Sequence, residues 1–171
     1  SVVNNEPLPL SYKEILLTQG KIALVNIEDY KYLNQWKWRA LKRGNTYYAA
    51  RGIRMNKKVL TIFMHHEILP SPKGMQIDHI NMNGIDNKKD NLRICNKSQN
   101  GMNSRKQNNN TSGYKGVCWH KVAKKWMAHT QVNGKRIYLG YFKTKKQAAL
   151  VYNEAAKKYH GEFARLNIIK S

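Results

Sequence analysis

Apolar residues in this chain come mostly in short blocks at strand spacing, cut by turns, and one long stretch near the C-terminus keeps a helical period. Residues 1–20, with Pro7 and Pro9 among polar side chains, read as an extended arm or edge segment. Residues 21–25 form a β-rich run. The spacing of Tyr30, Leu33 and Trp36 predicts a brief helix, with Trp36 and Trp38 as core or strand anchors. Residues 47–51 and 59–64 read as strands joined by a basic turn over 54–58. Gln76–His79 and residues 91–95 read as two more strands, separated by an Asn- and Gly-rich loop over 81–89. Asn96 then opens a helix, with Gln99 three residues on completing a capping box.

Residues 103–113 are polar and amide-rich without apolar anchors, the composition of a linker. Beyond them, residues 114–119, 126–132 and 135–141 read as strands, the last two joined by Asn133-Gly134, a dipeptide favoured in tight type I′ hairpins. Alternation puts Trp126, Ala128, Thr130 and Val132 on one face and Met127, His129 and Gln131 on the other. In the partner strand, Ile137, Leu139 and Tyr141 oppose Arg136 and Tyr138. Thr144 and Gln147 form a second capping box. Ala148, Tyr152, Ala155 and Tyr159 then make the stripe that packs on the sheet, and Gly161 ends the helix. The expected fold class is α+β: a small β-rich N-terminal region (1–60), a strand–strand–helix unit (61–106), a linker (107–113), and a three-stranded antiparallel sheet on one helix (114–171).

Charge changes the picture. Thirty-one Lys and Arg against ten Asp and Glu give a formal +21, and such an excess calls for a polyanionic partner, nucleic acid first. The last third is the most basic, with 13 basic and 2 acidic side chains over residues 111–171. Cys95 and Cys118 supply neither a disulfide framework nor a Cys-x-x-Cys clip, so no structural zinc is expected. With no run of about eighteen apolar residues and no signal-like N-terminus, the sequence leads us to expect a soluble, cytoplasmic protein without a membrane partner.

The candidate chemistry lies over residues 76–103. Asp78 and His79 are adjacent, Asn91 follows the histidine by twelve residues, and Asn100 comes nine residues later. The Asp78 carboxylate and the Asn100 amide carbonyl make an oxygen-only pair, suited to a hard cation such as Mg²⁺, or Mn²⁺, that keeps most of its waters. His79 titrates near neutrality and in its neutral form accepts a proton from an attacking water. Asn91 would hydrogen-bond so that the imidazole keeps the tautomer of a base. The chemistry this suggests is hydrolysis of a phosphodiester.

This order, with Asn91 inside Asp90-Asn91-Leu92-Arg93, resembles the HNH motif of phage and intron homing endonucleases, which folds as a ββα-metal unit. The resemblance implies His79 as general base, Asp78 and Asn100 as metal ligands and Asn91 as the orienting residue. His65-His66 stands where those proteins usually carry His-Arg. Each of these two, and Arg93, is a candidate for phosphate or active-site support, against the alternative of a histidine packed at a strand end. Arg51, Arg54, Lys57 and Lys58 of the front sheet, and Arg105 and Lys106 of the linker, are candidate phosphate contacts. For the four in the sheet, plain exposed strand charge is the competing reading.

The C-terminal residues carry a second resemblance. Ser112-Gly113-Tyr114-Lys115-Gly116-Val117, Trp126-Met127-Ala128, Tyr138-Leu139-Gly140-Tyr141-Phe142, Tyr152-Asn153-Glu154-Ala155-Ala156 and His160-Gly161-Glu162-Phe163 resemble the plant APETALA/ethylene-response-factor DNA-binding domain. That family lays its sheet in the major groove. The resemblance implies DNA contacts from Lys115, Cys118, Trp119, His120, His129, Gln131, Arg136 and Tyr138, with phosphate contacts from Lys121, Lys124, Lys125 and Lys135. Lys115, Cys118 and Gln131 stand where arginine is common, so the GC preference of the plant domains does not transfer. Trp126, Tyr141 and Phe142 read as core.

The expected function is a site-specific DNA endonuclease of the homing type. It would act on double-stranded DNA as a phage-encoded monomer that nicks one strand per site. A DNA-binding regulator with an inactive nuclease hairpin is the alternative, and an RNA-directed nuclease is a weaker third.

Overall fold

Strand pairing starts where the chain turns back at Thr18–Gly20. In the computed structural model, which describes residues 11–170, β1 (Tyr12–Leu16) and β2 (Ile22–Asn26) pair antiparallel as a hairpin. Of the extended arm or edge segment expected over residues 1–20, residues 1–10 lie outside the described residues, and β1 comes from the remainder. The chain divides between Ile94 and Cys95 into two compact units.

In the first unit, α1 (Ile27–Leu33) follows β2. It begins and ends earlier than the predicted helix because Asn26 occupies the N-cap, with Glu28 and Asp29 in the first turn, where the helix dipole favours acids. At the other end the Trp38 indole Nε1 donates to the Leu33 carbonyl at 2.8 Å, satisfying a last-turn acceptor from outside the helix. Next come β3 (Arg39–Arg43), a strand that the pattern of polar residues conceals, β4 (Thr46–Met55) and β5 (Lys58–Phe63), in sheet order β3-β4-β5. Asn56 and Lys57 both sit at positive φ, so the β4–β5 turn is a two-residue one and the strands run further than predicted. α2 (Met64–Ile68) then leads to β6 (Gln76–His79), which pairs with β7 (Leu92–Cys95). The core gathers Ile15, Leu17, Val25, Leu33, Trp38 and Met64. Burying each such side chain contributes roughly 1.5–3 kcal/mol.

The second unit starts with α3 (Lys97–Met102), capped as predicted by Asn96 and Gln99. This helix groups with the C-terminal sheet unit, upstream of the boundary placed at residue 107. The linker over 107–113 is also better fastened than its composition suggests. Asn110 donates to the Tyr114 carbonyl at 2.7 Å, and its own carbonyl accepts from the Ser112 hydroxyl and the Gly113 amide. β8 (Val117–His120), β9 (Lys125–Val132) and β10 (Lys135–Phe142) form an antiparallel sheet in the order β10-β9-β8. Asn133 and Gly134 have the positive φ that the type I′ turn needs.

α4 (Lys145–His160) packs on this sheet, starting at the predicted Thr144–Gln147 capping box. Its buried face is Ala148, Ala149, Tyr152, Ala156 and His160. That lies a residue away from the predicted stripe at two positions, and Tyr159 is exposed. The sheet has a second departure. Tyr138 pairs with His129 but Gly140 pairs with Ala128, so Leu139 is a bulge residue. The bulge turns Tyr141 to the Met127 side, where it is half exposed, and brings Phe142 to the core side with Trp126. Simple alternation puts Tyr141 inside, and the bulge corrects it.

Gly116 marks the tightest packing here. It has φ +72, and a Cβ there would lie 2.1 Å from the Tyr152 ring and 2.6 Å from the His129 carbonyl. Gly116→Ala is therefore expected to destabilise the second unit by about 2–4 kcal/mol through overpacking and backbone strain. Urea unfolding read by tryptophan fluorescence measures it, and a loss below ~0.5 kcal/mol would contradict this packing.

Candidate nuclease hairpin and reading sheet

The loop between β6 and β7 holds few apolar residues, and side-chain amides fix its shape. Asn81 and Asn91 exchange two hydrogen bonds: the Asn81 amide N–H donates to Asn91 Oδ1 and Asn91 Nδ2 donates to Asn81 Oδ1, both at 2.9 Å. Asn91 Nδ2 also donates to the Asp86 carbonyl at 2.7 Å, and Asn81 Nδ2 to Asp86 Oδ2. The loop is stitched to β2 through Leu24 N to Ile85 O and Asn87 N to Leu24 O, and to Asn26 through Lys89 N. Lys89 Nζ lies 3.1 Å from Asp29 and 3.2 Å from Glu28, at the start of α1. Gly84 passes so close to the Tyr47 carbonyl, 2.5 Å from where a Cβ would sit, that no larger residue fits.

What this loop delivers is Asn87. Its Oδ1 lies 2.9 Å from His79 Nε2, and both residues are buried. With a carbonyl facing Nε2, the proton belongs on Nε2 and the lone pair on Nδ1. Burial lowers the His79 pKa below the ordinary histidine value, against the raising effects of Asn87, Asp78 and Asp86, so the ring is neutral near pH 7. The side chain bonded to the imidazole is thus Asn87, a part that sequence reasoning assigns to Asn91. Asn91 acts one step back, fixing the loop that carries Asn87. An asparagine in an amide-rich loop gives no periodic signal, so Asn87 is hidden among its neighbours.

Asp78, buried at the other side of the same β6 dipeptide, accepts two hydrogen bonds on Oδ2, from Arg93 Nε at 3.0 Å and Nη2 at 2.9 Å. Arg93 therefore supports the carboxylate directly. Asn100 stands in α3, in the second unit, half buried. Among the described residues no group of three or more His, Cys, Asp and Glu could hold a metal ion. A carboxylate such as Asp78 is a hard oxygen donor of the kind that Mg²⁺ or Mn²⁺ takes alongside several waters.

The paired histidines separate. His65 is buried in α2, its ring stacked near that of Phe63 at 5.5 Å and edge-on to His79 at 5.0 Å between centroids. Burial, then the neighbouring His79 and His66, pushes its pKa down to about 3, so it is a neutral histidine packed against His79. His66 is exposed. Arg51, expected as a phosphate contact, is instead engaged within the first unit: its guanidinium lies over Trp36 at 4.2 Å and 3.6 Å from Glu67. Arg54, Lys57 and Lys58 are exposed at the β4–β5 tip.

In the second unit the strand registers put Cys118, His120, Lys125, His129, Gln131, Arg136 and Tyr138 on the sheet face away from α4, joined by Tyr141. Two candidates leave this set. Trp119 pairs with Trp126 and belongs to the opposite face, ring to ring at 5.2 Å. Lys115 turns inward, donating to the Met102 carbonyl at 2.5 Å and the Ser104 carbonyl at 2.7 Å, and its burial, with the nearby Arg165, lowers its pKa to about 8. A groove of about 840 Å³ borders this face, with Lys97, Arg105, Lys106, Lys115 and Arg136 in its lining and no acidic residue. Lys121, Lys124 and Lys135 are exposed on the strand connections and at a strand end.

Comparison with known proteins finds two family matches along the chain. An HNH endonuclease family model matches residues 70–102, and an AP2 domain model matches residues 112–162. Protein 3.8 of Escherichia phage T7 is 34% identical over 96 residues, 56% of this chain and 78% of that protein. An HNH endonuclease of Acanthamoeba polyphaga mimivirus is 28% identical over 153 residues, covering 88% of this chain and 77% of the relative. Dehydration-responsive element-binding protein 2D of Arabidopsis thaliana is 42% identical over 60 residues, 34% of this chain and 29% of that protein. No solved structure matches. The architecture is mixed α and β, with three antiparallel strands packed on a helix at the C-terminal end. No helix among the described residues is long and apolar enough to cross a membrane. The chain belongs to the family that includes Protein 3.8 of phage T7, and it carries an HNH endonuclease domain followed by an AP2 domain.

Proposed function

We propose that this protein is a metal-dependent, site-specific DNA endonuclease of the homing type, in which the AP2 sheet reads duplex DNA and the HNH hairpin cuts it. The observation that carries the reading is the buried, neutral His79 held by Asn87. A neutral imidazole keeps a basic lone pair and can act as a general base toward water. Asp78, steadied by Arg93, would offer a carboxylate oxygen to a divalent cation, which when bound supplies positive charge to the scissile phosphate and the leaving oxygen. The exposed cations of the sheet and the residue 105–106 strap fix the register on phosphates, while the sheet side chains meet base edges. One such site cuts one strand, so a monomer nicks. The phage relative supports a phage-encoded protein.

Supercoiled plasmid incubated with Mg²⁺ or Mn²⁺ is expected to yield open circles, and a chelator to stop the reaction. His79→Ala should slow nicking by about 10²–10⁴-fold, the usual range for a lost general base. Asn87→Ala should cost about 10–100-fold, chiefly in kcat, as expected for a residue that orients a functional histidine. If the wild-type protein binds duplex DNA but fails to nick it whichever divalent cation is supplied, the chain is a DNA-binding regulator. If His79→Ala cuts normally, another residue is the base.

The neutral His65 behind the base also has a cost in acid. Its folded pKa of about 3 lies below the ordinary value near 6.5, so the unfolded chain takes up a proton first as the pH falls. The stability it supports is whole above pH 6.5 and is lost progressively below, at up to ~1.4 kcal/mol per pH unit. Urea titrations at pH 7, 6 and 5 should show this decline, with a shallower slope in His65→Gln. Equal slopes would mean that His65 is protonated in the fold.

A further inference from the structure

We propose that the free end of the β4–β5 hairpin, residues 52–61, is a DNA-reading ribbon that enters the major groove. The site lies outside both family matches, which begin at residues 70 and 112. The inference rests on the reading of this protein as one that acts on duplex DNA.

Three observations support it. The first is shape. Arg54 pairs with Val59 and Met55 with Lys58, closing on the Asn56-Lys57 turn, so two strands stay paired to the tip. Four residues per strand at about 3.3 Å reach about 13 Å. The major groove is about 8.5 Å deep and about 12 Å wide, enough to admit a two-stranded ribbon.

Exposure is the second. Every residue from 52 to 61 except Ile53 is exposed, and the large apolar side chains Met55, Val59 and Leu60 are 53%, 66% and 45% accessible. Val59 lies on one face of the ribbon, Met55 and Leu60 on the other. A flat protein surface would cover one of these faces. A groove has two walls and flanks both.

The third is charge. Residues 39–63 contain seven Lys and Arg and no Asp or Glu. Within the first unit, Arg51 and Arg43 are committed to aromatic rings, at 4.2 Å over Trp36 and 4.8 Å over Phe63. Arg54, Lys57 and Lys58 are exposed at the tip, where they would meet phosphates and guanine edges. Met55, Val59 and Leu60 would pack on thymine methyl groups, removing their apolar surface from water.

The test uses the full chain in a chelator, bound to a duplex it selects from a randomised library. Arg54→Gln/Lys57→Gln/Lys58→Gln should lower affinity and reduce the slope of log K against log salt by about 0.9 for each of the three that meets a phosphate. Met55→Ser/Val59→Ser/Leu60→Ser should leave that slope unchanged but relax sequence preference. Dimethyl sulfate footprinting reports guanine N7 in the major groove and adenine N3 in the minor groove. The wild type should protect two blocks of guanine N7, and both ribbon variants should lose one of them while keeping the AP2 block. Circular dichroism should confirm that the variants fold. Unchanged footprints and slopes, protection at adenine N3 alone, or a ribbon variant altered only in self-association would overturn the ribbon. Failure of the wild type to bind any duplex would instead overturn the DNA reading itself.

Discussion

The nuclease hairpin depends on a set of amide hydrogen bonds that replace a hydrophobic core where there is none. Between β6 and β7, the buried groups are Asp86, Asn87 and Asn91, and each has to find hydrogen bonds or bear the cost of losing water. Most find them in one another, in Asn81, in His79 and in the edge of β2 through Leu24, while Asp86 Oδ1 and Asn87 Nδ2 are buried without a protein partner. A loop held this way favours one shape, because a shift of about an ångström would leave further buried donors and acceptors unpaired at once. That rigidity is what lets a histidine at the end of a short strand keep one tautomer. The Gly84 contact with Tyr47 and the Lys89 ion pairs with α1 fasten the loop from outside.

Much of this molecule can be read from its sequence where one local rule decides. Both capping boxes, at Asn96 and Thr144, and the Asn133-Gly134 turn are legible because the side chain and the backbone it satisfies lie within four residues. The Gln76–His79 strand is legible from the pattern around it. What escapes is decided by partners far along the chain. β3 has Arg39, Lys42 and Arg43 among five residues and looks like a loop, yet its register with β4 places Ala40 in the core. Alternation assigns Tyr141 to the wrong face because the bulge at Leu139 depends on sheet twist and on what both strands bury, which a period of two does not encode.

The site shows the same division. Asp78 and His79 stand out as a pair in the sequence, but the bond from Asp78 to Arg93 spans fifteen residues and the contact of His79 with Asn87 spans eight. Nothing in residue type distinguishes Asn87 from Asn81, Asn83 or Asn91. Only the stitching of the loop to β2 selects which amide faces the imidazole. Lys115 is the converse case. Its place in the motif suggests a DNA contact, and its surroundings turn it toward the Met102 and Ser104 carbonyls.

The ten carboxylates of a chain with formal charge +21 are scarce, and their use explains how such a charge is tolerated. In the first unit they work as internal ties: Asp78 on Arg93, Glu67 on Arg51, Glu28 and Asp29 on Lys89, Asp86 near Lys88. Aromatic faces take further cations, with Lys21 4.1 Å over Tyr47 and Arg51 over Trp36. The cations placed in structure are thereby neutralised or shielded close to the fold. Exposed cations also stand on the β4–β5 tip, on the sheet face away from α4 and in the basic groove beside it. A polyanion covering these surfaces would relieve part of the self-repulsion that folding leaves in place, and its affinity should rise as salt is withdrawn.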